Sequence, residues 1–239
     1  GAAPGGGDEV VIFGGRSDAE WPGCHNDVWS LKLDRADSPR CGVWTCVQTS
    51  GMPPSPKVWY GAALTENDNW IIYGGSRWQF EESPELVADR GVVWVLNLER
   101  FQWSSVVPPE GSAKPDVHLA HSLVQVASKI LVLGGCMPHR LGQAAPEQRT
   151  FQYCTNWYAP LSRVWAWDLR TQQWSLETAA CDAVPEPGDT LVRSHTSAVV
   201  IGGGGGRRAL DDGAVDPEVV LLFGGSRYFT GAYFHDLLE

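Results

Sequence analysis

Short apolar runs that end in two glycines recur four times along this chain. Each run has four consecutive apolar residues, a pattern typical of a buried β-strand, and the glycines mark its end. The second glycines of the pairs stand 60, 60 and 90 residues apart. The runs with their glycines are 10–15, 70–75, 130–135 and 220–225. This periodicity predicts a repeat of one structural unit.

Three further strands are predicted in the repeated unit, and we label its strands A to D from the inside outwards. The Gly-Gly run is strand B, and the next strands C and D each carry a tryptophan in the first three units. A proline-rich connector then leads to strand A of the next unit. Strand C is predicted at 27–31, 92–96, 163–167 and, without tryptophan, 235–238; strand D at 43–45, 102–104 and 173–175; strand A at 59–64, 120–124 and 194–198.

Composition agrees with an all-β chain that has many turns. The 239 residues include 27 Gly, 16 Pro and 12 Trp, and only 19% are charged. An intrinsically disordered chain would have fewer aromatic and more charged residues. No apolar run approaches the roughly 20 residues that a membrane-spanning helix needs.

Charge and cysteine usage narrow the class of partner and the compartment. The net charge of −10 and pI near 5.0 argue against a general nucleic-acid binder. The six cysteines form no C-x-x-C pair, which disfavours a structural zinc site. No signal peptide is visible, and a cytoplasmic location is predicted, with nuclear and ciliary locations left open.

The repeated pattern resembles the kelch repeat of β-propellers. The matching features are the Gly-Gly run, the Val-Trp strand after it, the tryptophan of strand D, and a His-Ser or His-Thr start to strand A at His121 and His195. Tyr60 departs from this pattern at the same position. The arginine usually found three positions earlier is replaced by Lys57, His118 and Val192, which is a further departure.

The resemblance implies an all-β, kelch-type β-propeller with four-stranded antiparallel blades. Residues 1–239 run from strand B of one blade to strand C of another, which is about three and a half blades. Because a propeller ring usually needs at least four blades, the ring is predicted to be incomplete in this chain. We expect the remaining blades to lie outside this sequence, in the same polypeptide.

Structural roles are predicted for the glycine pairs and for six tryptophans. The glycines would permit positive φ and close approach of a neighbouring strand, and the indole rings would fill the spaces between blades. The predicted structural residues are Gly14, Gly15, Trp29, Trp44, Gly74, Gly75, Trp94, Trp103, Gly134, Gly135, Trp165, Trp174, Gly224 and Gly225.

Partner-binding residues are predicted on one face of the propeller, which we call the loop face. It carries the B–C loops 16–26, 76–91, 136–162 and 226–234, and the D–A connectors 48–57, 107–117 and 178–192. The candidates are Arg16, Arg77, Arg140 and Arg227 after the glycine pairs, and Tyr153, Trp157 and Tyr158 in the longest loop. Two alternatives stay open: the arginines brace their own loops, and the aromatic residues pack on a blade edge.

The predicted function is a non-catalytic protein-interaction module. The resemblance implies a substrate receptor of a ubiquitin ligase or an assembly scaffold. The alternative is a kelch domain appended to an enzyme, such as a phosphatase or methyltransferase. No catalytic, cofactor or metal residue is predicted, and the acidic loop with Glu81, Glu82, Glu85 and Asp89 is expected to be solvated rather than to bind a cation.

Overall fold

The fold is built entirely from β-strands in the part of the chain that the structure describes. The computed structural model describes residues 9–17, 23–33, 42–77, 89–115, 119–136, 163–178, 194–201, 219–227, 232–233 and 237–238. These residues form sixteen strands and no helix. The all-β class predicted from the sequence is therefore confirmed.

Four antiparallel sheets follow one another along the chain as blades I to IV. Blade I contains β1 (Glu9–Arg16), β2 (Cys24–Leu33) and β3 (Gly42–Val47), and blade II contains β4 (Val58–Leu64), β5 (Asn69–Ser76), β6 (Val93–Asn97) and β7 (Gln102–Val106). Blade III contains β8 (Ser122–Val126), β9 (Lys129–Leu133), β10 (Arg163–Asp168) and β11 (Gln173–Thr178). Blade IV contains β12 (Ser197–Ile201), β13 (Val219–Phe223) and β16 (Leu237–Leu238), and β14 (Ser226–Arg227) pairs separately with β15 (Ala232–Tyr233).

The strand order confirms the four-stranded unit. Blades II and III each hold strands A, B, C and D in spatial sequence, as β4-β5-β6-β7 and β8-β9-β10-β11. Blade I shows strands B, C and D, and the described part of blade IV shows strands A, B and C. This arrangement is the one that the repeat predicted for propeller blades.

The entry to strand A repeats from blade to blade and corrects the predicted register. The Ala120 N–H donates to the Trp59 carbonyl at 2.7 Å, and the His195 N–H donates to the Ala120 carbonyl at 2.8 Å. All three residues have positive φ, between 54° and 59°. His195 is thus equivalent to Trp59 and Ala120, not to His121, so the predicted shared position of His121 and His195 is wrong.

Pairing with the residue after each glycine pair explains this correction. Val58 pairs with Ser76, Leu119 with Cys136, and Ser194 with Ser226. Val58, Leu119 and Ser194 are therefore equivalent positions. The residues that precede them, Lys57, His118 and Arg193, are equivalent to one another as well. The predicted correspondence of Val192 with Lys57 is therefore off by one residue, and each of these three connectors ends in a basic side chain.

Hydrophobic cores fill the three spaces between successive blades. Between blades I and II the buried residues are Phe13, Val28, Ile72, Leu96 and Trp103. Between blades II and III they are Ala63, Ile71, Tyr73, Val93, Leu123, Ile130, Val132, Trp167 and Trp174, and between blades III and IV they are Val124, Leu133 and Leu222. Each inner blade is therefore covered on both faces, as its continuous apolar strands require.

The glycine pairs occupy backbone conformations that favour glycine. All eight have positive φ, from 58° at Gly14 to 101° at Gly225. A Cβ at position 75 would lie 2.7 Å from the Val58 carbonyl oxygen, and one at position 135 would lie 2.7 Å from that of Leu119. The pair thus lets strand A approach the end of strand B closely.

The six tryptophans are not equally buried. Trp103 and Trp174 are only 3% and 6% exposed, whereas Trp44 is 50% exposed. The other three, Trp29, Trp94 and Trp165, are half-buried. Trp44 is exposed because its side of blade I has no neighbouring sheet among the described residues, so its core role stays a prediction.

Candidate functional site

The loop face between blades I and II is organised around the last residue of a D–A connector, Lys57. Its backbone N–H donates to the His25 carbonyl at 3.2 Å, and its carbonyl accepts from the Gly15 N–H at 3.4 Å. These contacts attach the connector 48–57 to both ends of the B–C loop of blade I. The connectors and B–C loops of the described blades thus meet on one face, as the strand order requires.

The Lys57 side chain performs the same function for blade II. It is 2% exposed, and its Nζ lies 2.9 Å from Asp89 Oδ2 and 3.3 Å from the Gly74 carbonyl oxygen. Gly74 and Asp89 flank the B–C loop of blade II, so one ammonium group holds both ends of that loop. Burial lowers the pKa of Lys57, and the nearby Asp89 carboxylate opposes that shift.

Asp89 is therefore not the solvated acid that the loop composition predicted. Its carboxylate pairs with a buried ammonium group, and the two charges compensate each other where desolvation is costly. Glu81, Glu82 and Glu85 lie outside the described residues. The Lys57–Asp89 pair was missed by the sequence reasoning, although the basic residue that ends each connector was a signal for it.

Two of the four candidate arginines lie near one thiol. Arg16 pairs with Cys24 in the ladder of β1 and β2, and Arg77 follows β5 of blade II directly. Burial raises the pKa of the Cys24 thiol, and the positive charges of Arg16 and Arg77 oppose this shift. Both arginines are exposed, and the loop face thus carries a cation from each of blades I and II that acts on the same thiol.

The other candidates are not brought to this place by any described contact. Arg140, Tyr153, Trp157 and Tyr158 lie outside the described residues. Arg227 belongs to β14, where it pairs with Ala232. A ring of four arginines and an aromatic contribution from 136–162 therefore remain predictions.

Polar contacts hold the ends of the B–C loops of blades I and II. His25 Nε2 lies 3.0 Å from Ser17 Oγ, which braces the B–C loop of blade I. Between blades II and III, Trp174 Nε1 donates to the Gly91 carbonyl at 2.7 Å. Such contacts hold the ends of the loops in fixed positions, which suits recognition of a partner by a preformed surface.

Three observations bear on other chemistry in the described residues. Cys24, Cys46 and Cys136 are not joined in disulfides. No three His, Cys, Asp or Glu side chains within the described ranges are grouped as metal ligands would be. The same ranges contain no helix of the length and hydrophobicity that a membrane crossing requires.

Comparison with known proteins identifies the family. Residues 4–216 match the model of the KLHDC2/KLHL20/DRC7 Kelch-repeats domain. The chain is 23% identical to Tip elongation aberrant protein 3 of Schizosaccharomyces pombe over 189 residues, which is 70% of this chain and 15% of that protein. It is 32% identical to Multiple epidermal growth factor-like domains protein 8 of Mus musculus over 98 residues, which is 39% of this chain and 3% of that protein.

The chain thus spans a small part of the length of these two relatives, whereas the family model covers most of the chain. The repeated Gly-Gly strands, the strand order of the four blades and the tryptophans between blades are the features that this match explains. The chain belongs to the kelch-repeat family.

Proposed function

We propose that this chain is a non-catalytic module that binds a protein partner through its loop face. Kelch repeats support a protein-interaction role, and the family is generally non-catalytic. The observation that carries the proposal is that Arg16, paired with Cys24 in the ladder of blade I, and Arg77, directly after β5 of blade II, are both exposed residues that follow a glycine pair at the loop face. In a chain with a net charge of −10, two exposed cations on the same face would offer carboxylate groups of a partner a favourable local charge.

The module acts as a substrate receptor or as an assembly scaffold. The name of the Schizosaccharomyces pombe relative associates that protein with tip elongation, which favours the scaffold role. The alternative is a propeller appended to an enzyme, where the same face would position the substrate of a phosphatase or methyltransferase. The arginines of the remaining loops, Arg140 and Arg227, and the aromatic residues Tyr153, Trp157 and Tyr158 would extend the same surface.

Affinity capture with the full-length protein tests the loop-face proposal. The variant combines Arg16→Ala with Arg77→Ala, and Arg100→Ala is the matched control because Arg100 is exposed in the C–D turn of blade II, on the opposite face. We expect the double variant to lose partners that the wild type and the control both retain, with an unchanged melting temperature. Equal recovery by all three proteins would contradict the proposal.

We also propose that further blades of the same polypeptide cover both ends of this array. Val10, Ile12 and Trp44 are exposed on the outer face of blade I, and Val199, Ile201 and Phe223 are exposed on that of blade IV. Apolar sheet faces of this kind are normally covered in a folded protein. Family membership supports propeller blades as the cover.

We propose that the protein is located in the cytoplasm. Cys24, Cys46 and Cys136 are cysteines outside any disulfide, which suits a reducing compartment. Imaging of the full-length protein tests it, and a secreted or surface-exposed product would contradict it.

A further inference from the structure

We propose that a cavity between blades II and III, on the face opposite the long loops, binds an arginine side chain of a partner polypeptide. The cavity has a volume of about 200 Å³. It opens where the A–B turn of blade II faces the C–D turn of blade III. Since the Arg16–Arg77 site lies on the other face, this inference is independent of the proposed function.

The cavity has an apolar floor and a polar rim. The floor is formed by Ile71, Val95 and Val106 of blade II and by Trp167 and Leu169 of blade III. Such a floor matches the methylene stem of a long basic side chain, which packs on apolar surface while its charged end stays at a polar rim.

Two rim residues present hydrogen-bond acceptors. Glu66 has an exposed carboxylate, which accepts hydrogen bonds but does not donate them when ionised. Gln125 donates through Nε2 to the Ala127 carbonyl at 2.9 Å, which assigns its Oε1 as the atom that is left to accept. A ligand with several N–H donors fits these groups better than an anion does.

The charge of the cavity lining also favours a cation as ligand. Glu66 is the ionisable residue among the described residues that line the cavity. The facing turn of blade III carries Asp168 and Arg170, which are opposite in sign, and hydrogen bonds from Thr171 together with the Arg170 charge lower the pKa of Asp168. The cavity therefore has a net negative charge, which a guanidinium group would neutralise.

The size and geometry favour arginine over a whole cofactor. Pockets for drug-sized ligands have volumes of roughly 300–1,000 Å³, so a cavity of about 200 Å³ suits one side chain. The amide groups of Asn67 and Gln172 add further polar partners at the rim. A planar guanidinium group, with five N–H donors, can use several separate acceptors at once, whereas an ammonium group acts as a point charge.

Calorimetric titration of the full-length protein with three short peptides tests the proposal. The probes are acetyl-Gly-Arg-Gly-amide and the same peptide with citrulline or lysine in place of arginine. We expect saturable binding of the arginine peptide, with lysine binding more weakly and the uncharged citrulline at least about tenfold more weakly. Hydrogen exchange should show protection in segments 65–72 and 165–173 when the arginine peptide is bound.

Two variants keep the test specific to the cavity. Glu66→Gln should weaken the arginine peptide about tenfold. Glu99→Gln is the matched control, because Glu99 is an exposed acid in the C–D turn of blade II and does not line the cavity. Absence of saturable binding, equal affinity for citrulline, or equal effects of the two variants would each overturn the proposal.

Discussion

The tryptophans of strand D occupy equivalent positions in three blades but have different surroundings. Trp103 packs on Phe13 of the preceding blade, with ring centroids 5.1 Å apart, and Trp174 packs on Tyr73 at 4.9 Å. Trp44 stands at the same point of blade I, opposite Leu31, and remains 50% exposed. The difference shows that the repeat places a tryptophan at this position in each blade, but the ring is buried only where a preceding blade packs on it.

The aromatic partners of these tryptophans show the same contrast at the other end. Phe13 and Tyr73 stand directly before a glycine pair and are 2% and 1% exposed. Phe223 has the same position in blade IV but is 55% exposed. The space between blades I and II and the space between blades II and III thus each join an aromatic residue of strand B to a tryptophan of the next strand D. The outer faces of blades I and IV each present one half of such a pair.

Removing an indole ring should give the largest difference in the free energy of unfolding between a buried and an exposed position of the repeat. Trp103→Ala should lower the free energy of unfolding of residues 1–239 by about 3–5 kcal/mol, because it empties a closed core. Trp44→Ala should cost about 1 kcal/mol or less in the same chain, since half of the ring is already in water. Urea unfolding of both variants measures the difference.

The same two variants should be compared in the full-length protein. If another blade covers blade I, Trp44→Ala should become about as costly there as Trp103→Ala. A cost that stays small in the full-length protein would contradict the proposal that further blades close over this face.

A glycine substitution should give a smaller difference between blades. Gly75→Ala adds a Cβ 2.7 Å from the Val58 carbonyl oxygen at a φ of 81°, so we expect it to cost about 3 kcal/mol. Gly15→Ala is the matched control in blade I, where nothing lies within 4 Å of the added Cβ and only the φ of 96° is unfavourable. Its cost should be about 1–2 kcal/mol. Equal melting temperatures for the two variants would show that strand A does not approach Gly75 closely.

The smallest effect is expected at a hydrogen bond between blades I and II. The Tyr60 hydroxyl donates to the Phe13 carbonyl, and burial raises the pKa of Tyr60 to about 12 from its ordinary 10.0. Tyr60→Phe should cost about 1 kcal/mol at neutral pH.

The pH dependence has a definite sign. Between pH 10 and 12 the unfolded chain loses a proton that the folded chain retains at Tyr60, so the wild type loses stability as the pH rises. The variant lacks this titration, and its disadvantage should shrink over that interval in thermal unfolding. Parallel stability curves for the two proteins would contradict a buried, hydrogen-bonded Tyr60.

The repeat made much of this molecule predictable. The Gly-Gly runs correctly located strand B in all four blades, because four consecutive apolar residues are typical of a buried strand. The glycine pair ends the strand only in blades III and IV, since β1 and β5 continue through it to Arg16 and Ser76. The start of strand A was less predictable: β8 and β12 begin at Ser122 and Ser197, two and three residues later than expected. His195 was misaligned for the same reason, since a His-Thr pair carries no signal of its backbone φ.

The candidate site was predicted only in part. Arg16 and Arg77 were predictable as candidates because each follows a glycine pair. The alternating direction of antiparallel strands then predicted that both lie on the same face. Their common electrostatic effect on Cys24 could not be predicted, because it depends on how blades I and II lie side by side. The Lys57–Asp89 pair joins residues 32 positions apart, and nothing in the loop composition separated a paired carboxylate from a solvated one.

The amino-acid sequence alone determined the repeat, the strand order and the family resemblance, because local periodicity and glycine conformation act over a few residues. Only the tertiary structure decided which equivalent residues are buried, which charges meet and where a cavity opens. Burial and electrostatic pairing depend on neighbours that are distant along the chain, so identical positions in the repeat, such as those of Trp44 and Trp103, can have opposite surroundings.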